Sequence, residues 1–183
     1  MPRHPSPAFT RCVFLPYSHR DNVPSDAVVY DVSSYADHPC CQLSPLWAHG
    51  GIPVPGMPGT TSDSVEGVWQ GLKVIRGKTA PRFFRGRGQK RGGKPSGHQY
   101  GNKLLGLVEA RFKIYRVAYE WMLAHKADPA LIEQFVERAN AFVPQYFHDL
   151  GDNGDVNNTG ESWAHASVLV QYINRLCAER AGA

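Results

Sequence analysis

The longest helical pattern in the chain is Asn102-Lys-Leu-Leu-Gly-Leu-Val-Glu-Ala-Arg-Phe-Lys-Ile-Tyr-Arg-Val-Ala-Tyr-Glu-Trp-Met-Leu-Ala-His-Lys126. Its apolar side chains recur every three or four residues, which is the spacing of one helix face. They are Leu104, Leu105, Val108, Phe112, Tyr115, Tyr119 and Met122. We therefore predict one long amphipathic helix over Asn102–Lys126 at the centre of the hydrophobic core.

Shorter elements are predicted on both sides of this helix from capping residues and periodicity. The predicted helices are Val65–Arg76, ended by Gly77, Ala130–Phe142, which follows Asp128 and Pro129, and Ala164–Arg180. The predicted extended segments are Asp26–Ser33 and Gln145–Asp149, and the stretch Pro39–Thr61, rich in proline and glycine, is predicted as ordered loop. The expected fold class is α+β, predominantly α, with a loop-rich N-terminal third, a few short strands and about four main helices.

The chain has 183 residues, of which 42% are apolar and 20% charged, and this composition is typical of one globular domain. We expect a single domain over residues 1–183, with residues 1–25 as an N-terminal extension. Its apolar runs are far shorter than the roughly 18–20 residues needed to cross a bilayer. The segment Met1–Thr10 lacks the apolar core of a signal peptide. We therefore expect a cytoplasmic protein with no membrane partner.

The four cysteines, at positions 12, 40, 41 and 177, are too few for a disulfide scaffold. We expect four free thiols. A zinc-ligand set can be drawn from His38, Cys40, Cys41 and His49, but this segment contains no Cys-x-x-Cys pair. We predict no metal site and no cofactor.

The positive charge is concentrated in one part of the chain. Between Lys73 and Lys113 there are twelve basic residues and a single acid, Glu109. Within this span the segment 85–97 is too rich in glycine for a helix and too polar for a core strand, which predicts a flexible basic loop. This loop either binds phosphate or nucleic acid through Arg85 to Lys94, or is a solvated loop without a ligand.

The first predicted helix has two chemically different faces. At about 100 degrees per residue, its apolar residues fall on one side, while Trp69, Gln70 and Lys73 fall close to Glu66 on the other. This polar face is either a pocket wall or an exposed helix surface with a weak side-chain network and a half-buried Trp69.

A second cluster, Asp149-Leu-Gly-Asp-Asn-Gly-Asp155, places three carboxylates three residues apart after an extended segment. Such a loop either presents a carboxylate to a cleft or uses its Asp and Asn side chains to cap its own backbone. Its spacing differs from that of a calcium-binding EF-hand loop. His165, near the start of the last predicted helix, fits a capping, packing or binding role.

Several common enzyme classes are disfavoured because their motifs are missing. The sequence contains no G-x-S-x-G, no phosphate-binding Walker loop, no dinucleotide-binding G-x-G-x-x-G before a predicted helix and no H-E-x-x-H.

Taken in order, the segments resemble the NADAR (YbiA-like) family over roughly Leu43 to Leu176. The segments are Leu43–Trp47, the proline- and glycine-rich stretch, Ser64–Lys73, the basic loop, the long helix and the Asp loop. Glu66, Gln70 and Lys73 match the family pattern S-E-H-x-x-Q-A-x-K, whereas glycine replaces its histidine and its alanine and the late loop lacks W-G-x-G. A second resemblance, to a set of bacterial and phage proteins, rests on His49-Gly-Gly-Ile-Pro-Val-Pro55, Ser64–Lys73 and Ala164-His-Ala166.

The NADAR resemblance implies an N-glycosidase that acts on ADP-ribose conjugates, including ADP-ribose on guanine bases of nucleic acid. Cleavage of a C1′–N bond passes through an oxocarbenium-like state, which a carboxylate stabilises. On this hypothesis Glu66 and Lys73 are catalytic, with Lys73 attacking C1′, and Asp152 or Asp155 moves protons.

The same hypothesis names residues that bind the substrate. Trp47, Trp69 or Tyr100 stacks on a base, and Arg85, Arg87, Lys90 and Arg91 hold a diphosphate or a nucleic-acid backbone. Further candidates are His49, Gly50, Gly51, Gln70 and His165. Two alternatives stay open, namely a non-catalytic module that binds nucleic acid through the basic loop and a phage or host protein that binds a protein partner.

Overall fold

In the computed structural model, which describes residues 12–181, the chain forms a mixed α+β fold. The strands are β1 (Cys12–Phe14), β2 (Val28–Asp31), β3 (Ile52–Pro53), β4 (Thr61–Ser62), β5 (Lys73–Val74), β6 (Gly97–Tyr100), β7 (Lys103–Leu105) and β8 (Gln145–His148). The helices are α1 (Val65–Leu72), α2 (Leu107–Ala110), α3 (Val117–His125), α4 (Pro129–Asn140) and α5 (His165–Ala181), with a π-helical segment, Arg111–Arg116, joining α2 to α3.

Strand β8 lies in the middle of a parallel sheet of order β1-β8-β2. Phe147 is fully buried in it, and α5 packs against β1 and β8. Because all three strands run in the same direction, the residues that follow β2 and β8 meet at one edge of the sheet. The described part of the expected N-terminal extension contributes β1 to this sheet, and residues 1–11 lie outside the described residues.

A second, antiparallel sheet of order β5-β6-β7 corrects two predicted helix boundaries. The helix predicted to reach Arg76 ends at Leu72, because Lys73 and Val74 pair with His98 and Gly97. The long helix predicted from Asn102 begins at Leu107, because Lys103–Leu105 pairs with β6. In both places hydrogen bonds to a distant strand replace the helical turn that the local pattern favours.

From α2 to α3 the chain forms the predicted core helix. Ile114, Tyr119 and Met122 are fully buried on it, and the Tyr119 hydroxyl donates a hydrogen bond to Leu43 O at 2.7 Å. Two residues of the predicted apolar face are exposed instead: Leu104, on β7, by 53% and Phe112, in the π-helical segment, by 43%.

The two last predicted helices are confirmed. The α4 helix begins at Pro129, with the Asp128 carboxylate accepting a hydrogen bond from Ala130 N at 2.9 Å, and α5 runs from His165 to Ala181. The Gln145–Asp149 segment is extended as predicted, since it forms β8. Within the described residues no helix is both long and apolar enough to span a membrane.

The basic loop has no regular secondary structure between residues 85 and 96, but hydrogen bonds tie it to the rest of the chain. Gly86 N donates to Asp63 Oδ2 at 2.6 Å, and Gly88 N donates to Leu46 O at 3.0 Å. Its flexibility stays a prediction, whereas its course past Asp63, just before α1, and past Leu46 is set by these bonds.

Candidate active-site cleft

A cleft of about 580 Å³ opens at the edge of the parallel sheet where β2 and β8 end. One wall is α1, and the other walls are the loop that follows β8 and the start of α5. In open α/β sheets, ligands commonly bind in a crevice at the carboxyl ends of parallel strands. The cleft is therefore the candidate functional site of this molecule.

The polar face of α1 lines this cleft. Glu66, Trp69, Gln70 and Lys73 all contribute to its wall. Gln70 Nε2 donates to Glu66 Oε1 at 2.5 Å, and Gln70 Oε1 accepts from Arg91 N at 3.1 Å. Gln70 thereby fixes the position of the Glu66 carboxylate and joins the basic loop to the helix.

Two glycines allow α1 to lie close to the segment that follows it. A Cβ atom on Gly71 would lie 2.1 Å from Phe84 Cε1, and one on Gly67 would lie 2.6 Å from Phe83 O. Ser64 caps the helix by accepting a hydrogen bond from Gly67 N at 3.0 Å. The glycines that distinguish this helix from the NADAR pattern are therefore explained by packing.

Lys73 lies at the end of α1 with its side chain half-buried. Burial lowers the pKa of its amine, the charge of Glu66 raises it, and Lys90 and Arg91 lower it further, so that the net shift is downward. No carboxylate of residues 12–181 forms an ion pair with this amine. A lysine with a depressed pKa carries more of the unprotonated form, which is the nucleophile.

The structure adds His98, which the sequence analysis did not single out. Its side chain is 1% exposed, lines the cleft and stacks on Trp69 with ring centroids 3.7 Å apart. Burial and the neighbouring Lys73 lower the pKa of His98 to about 4. Neither ring nitrogen has a hydrogen-bond partner within the described chain. No sequence motif marks this residue, because its position comes from the pairing of β6 with β5.

An acid and a histidine form a buried pair at the opposite wall. His165 Nδ1 lies 2.8 Å from Asp149 Oδ2, and His165 Nε2 donates to Val32 O at 2.8 Å. Asp149 also accepts from Gly151 N and Ala166 N. Both nitrogens of His165 are therefore engaged, which leaves the ring no free position for proton transfer to a ligand.

Positive charge surrounds the rest of the cleft. Arg111, which begins the π-helical segment, is buried and donates from its guanidinium to the carbonyl oxygens of Val156, Asn158 and Glu161 at 2.5–2.7 Å. Arg91 donates to Lys73 O at 2.6 Å, and Lys90 lies exposed at the rim. The cleft is thus lined by more cations than unpaired acids.

Aromatic rings complete the wall. Tyr115 lies edge-on to Trp69 at 5.6 Å and tilted to Trp163 at 6.1 Å between ring centroids.

The model of one protein family, a family of unknown function designated DUF6939, matches residues 17–169. The chain belongs to the DUF6939 family. Every residue that lines the cleft lies inside the matched range. No curated protein and no solved structure matches this chain.

In this DUF6939 protein the two aspartates predicted to move protons do not line the cleft. Asp152 is exposed and accepts a hydrogen bond from Ser18 N at 2.8 Å. Asp155 is also exposed and caps Asn157 N at 2.9 Å, so that this end of the loop follows the backbone-capping alternative. The carboxylate that this loop brings to the cleft is that of Asp149.

Several predicted binding residues lie elsewhere. Of the substrate candidates, Trp69, Gln70, Lys90, Arg91 and His165 line the cleft, whereas Trp47, His49, Gly50, Gly51, Tyr100, Arg85 and Arg87 do not. His49 Nε2 donates to Gln42 O at 2.8 Å, and the two glycines after it adopt positive φ angles of 76° and 71° in a turn. The exposed Arg85 lies 3.9 Å from Asp63. Besides Trp69, the aromatic residues that line the cleft are Tyr115 and Trp163, which were not among the predicted binding residues.

Residues 12–181 contain no group of three or more His, Cys, Asp or Glu side chains arranged to hold a metal ion. All four cysteines are free thiols.

Proposed function

We propose that this protein is an N-glycosidase-like hydrolase that acts on an ADP-ribosyl or nucleotide-type substrate. We also propose that it is related to the NADAR family. One observation carries the proposed activity: Glu66 and the half-buried Lys73 share a single cleft with aromatic rings and several cations. This combination matches a ligand that contains a sugar, an aromatic base and phosphate groups.

Glu66 and Lys73 have different roles in the proposed reaction. The unprotonated Lys73 amine forms a bond to C1′ with its electron pair, and the C1′–N bond to the base breaks. The leaving base takes the electron pair of that bond and the proton that the lysine nitrogen sheds. The C1′–O4′ bond of the sugar ring then breaks: O4′ takes the electron pair of that bond and the second proton of the lysine nitrogen, and the nitrogen forms a double bond to C1′. Water hydrolyses this Schiff base to an aldehyde and restores the amine. The Glu66 carboxylate stabilises the positive charge that develops at C1′.

The remaining wall suits the rest of such a ligand. Lys90 and Arg91 lie at the rim, where they can hold a diphosphate. Trp69, Tyr115 and Trp163 offer faces and edges to a base. We further propose that ADP-ribose attached to guanine in nucleic acid is a substrate and that the protein acts in the cytoplasm, a reducing compartment in which four free thiols persist.

The test uses the full-length protein and an oligonucleotide that carries ADP-ribose on guanine. Release of ADP-ribose is followed by mass spectrometry for the wild type, Glu66→Gln and Lys73→Arg, with Lys126→Arg as a matched control on an exposed lysine outside both the cleft and the basic loop. We expect release by the wild type and the control, and a loss of at least about 100-fold in the two cleft variants. Borohydride added during turnover should give a wild-type adduct on Lys73.

An inactive wild type, or cleft variants as active as the control, would overturn the proposal. Activity that depends on both residues without a trapped adduct would retain the reaction and remove the covalent step.

A binding module without catalysis is the second candidate function. It is favoured by one observation: Arg85, Arg87 and Lys94 are exposed and continue from Lys90 at the rim of the cleft. Nucleic acid bound along this loop should lose affinity steeply as salt rises. Affinity that survives Glu66→Gln and disappears when these cations are neutralised, in a protein that releases no ADP-ribose, would support this alternative.

A further inference from the structure

The His98 side chain lines the cleft, and the burial of its ring nitrogens is expected to cost stability. Both of its ring nitrogens are buried and lack hydrogen-bond partners among residues 12–181. A buried polar group without a partner destabilises a folded protein, since it gives up its hydrogen bonds to water. The other unpartnered buried atom, Gln145 Oε1, differs because the same side chain donates to Phe135 O at 2.9 Å and does not line the cleft. Of these two side chains, only His98 lines the cleft.

The position of His98 relative to Lys73 is fixed by the antiparallel pairing of β5 with β6. Lys73 and His98 are directly opposite partners in this register, so that their side chains project from the same face of the two-stranded ladder. Both line the cleft. A ligand carbon within reach of the Lys73 amine therefore has its neighbouring substituents within reach of the His98 ring.

We propose that His98 recognises the sugar of the ligand through a hydrogen bond between its imidazole and a ribosyl hydroxyl beside the carbon that Lys73 attacks. This inference rests on the proposed function, because that function places a ribosyl C1′ at Lys73.

The chemistry of the ring favours a hydroxyl over the other parts of a nucleotide. A neutral imidazole has one N–H donor and one acceptor nitrogen, and a sugar hydroxyl can use either. At neutral pH the ring carries no charge, because burial and Lys73 lower the pKa of His98 to about 4. It therefore lacks the charge that would favour a phosphate, a role left to Lys90 and Arg91.

Access to these nitrogens requires a small rearrangement. Both nitrogens are buried from solvent, although the ring lines the cleft. The half-buried Trp69 indole, stacked on the ring at 3.7 Å between centroids, is the neighbour whose movement uncovers it. Binding of the sugar is thus expected to shift Trp69.

The experiment compares binding of ADP-ribose and of ADP, which lacks the second ribose, by calorimetry. The variants are His98→Phe, which keeps a flat ring against Trp69 but has no hydrogen-bonding atoms, and His98→Gln, which keeps a donor and an acceptor. We expect His98→Phe to bind ADP-ribose about tenfold more weakly and ADP unchanged, with partial recovery in His98→Gln. The thermal unfolding midpoint of His98→Phe should equal or exceed that of the wild type, which a merely structural histidine would not give.

A wild type that binds ADP-ribose, with His98→Phe binding it equally well, would overturn this inference and leave the proposed function in place. A wild type that binds neither nucleotide would overturn the proposed function as well. If His98→Phe does not fold, the ¹⁵N signals of the His98 ring in the wild type replace it: they should shift on addition of ADP-ribose and not on addition of ADP, and unchanged signals with both would reject the inference.

Discussion

Asp149 and His165 join three segments at one point of the cleft. The 2.8 Å contact between Asp149 Oδ2 and His165 Nδ1 links the end of β8 to the first residue of α5. The other ring nitrogen of His165 donates to Val32 O, just after β2. Because a carbonyl and a carboxylate are both acceptors, the geometry favours a doubly protonated ring beside an ionised acid. The pair is therefore an ion pair that holds the edge of the parallel sheet to the helix.

This ion pair predicts a pH-dependent stability. Burial lowers the pKa of His165, but the charge and hydrogen bond of Asp149, the hydrogen bond to Val32 O and the charge of Glu66 together raise it more, so that the net pKa lies above 6.5. Burial raises the pKa of Asp149, and His165 together with two backbone N–H groups brings it below 3.8. The histidine contribution is complete below pH 6.5 and is lost as the pH rises through the raised pKa; the aspartate contribution is complete above pH 3.8 and is lost as the pH falls through the lowered pKa.

The measurement is the free energy of unfolding in urea across pH 5 to 9. We expect the difference between the wild type and His165→Gln to shrink as the pH rises above 6.5. The control is His125→Gln, at an exposed position on α3, which should leave the wild-type pH profile unchanged. Equal pH profiles for the wild type and His165→Gln would show that the ring is not charged in the native state.

Gly71→Ala should destabilise the fold. The added methyl would lie 2.1 Å from a Phe84 ring carbon, and Phe84 is itself buried, so that the ring must move or α1 must shift. We expect a loss of about 1–3 kcal/mol in the free energy of unfolding, typical of overpacking. The control is Gly92→Ala, because a Cβ atom on Gly92 would have no other residue's atoms within 4 Å apart from its chain neighbours. It should change the free energy of unfolding by less than about 0.5 kcal/mol. Equal stability of the two variants in chemical denaturation would contradict the close packing.

Arg111→Met should loosen the loop between β8 and α5. The guanidinium holds three carbonyl oxygens of residues 156–161, and hydrogen bonds to a charged group contribute about 1.5–3 kcal/mol each when a partner is removed. We expect faster limited proteolysis within residues 150–162 and a lower unfolding midpoint. Arg116→Met, which removes a partly exposed ion pair with Glu120, is the matched control and should cost no more than about 1 kcal/mol. Unchanged proteolysis of Arg111→Met would show that the loop is held by other contacts.

Lys90→Ala should weaken the binding of ADP-ribose and flatten its dependence on salt. Lys90 lies at the rim of the cleft, whereas Lys94, four residues later, is exposed outside it. Loss of one exposed cation near a phosphate typically weakens affinity about two- to fivefold at low ionic strength. Calorimetry at low and high salt should show this effect for Lys90→Ala and not for Lys94→Ala. Equal effects of the two substitutions would favour diffuse attraction by the whole loop.

Local sequence patterns were enough to predict the main helices. The caps at Ser64 and Asp128 begin α1 and α4, and the period of the apolar residues places α3, α4 and α5. The same periodicity put Glu66, Trp69, Gln70 and Lys73 on one helix face, and the structure brings all four to the cleft. These features depend on residues within a turn or two of one another, which is why the order of side chains along the chain determines them.

Tertiary structure decided the rest. Lys73 leaves the helix because β6, more than twenty residues later, pairs with it, and that pairing also brings His98 to the cleft. Asp149, rather than Asp152 or Asp155, faces the cleft because it directly follows the central strand of the parallel sheet and meets His165 there. Each outcome depends on hydrogen bonds and burial between segments far apart in the chain, for which the sequence around each residue contains no local signal.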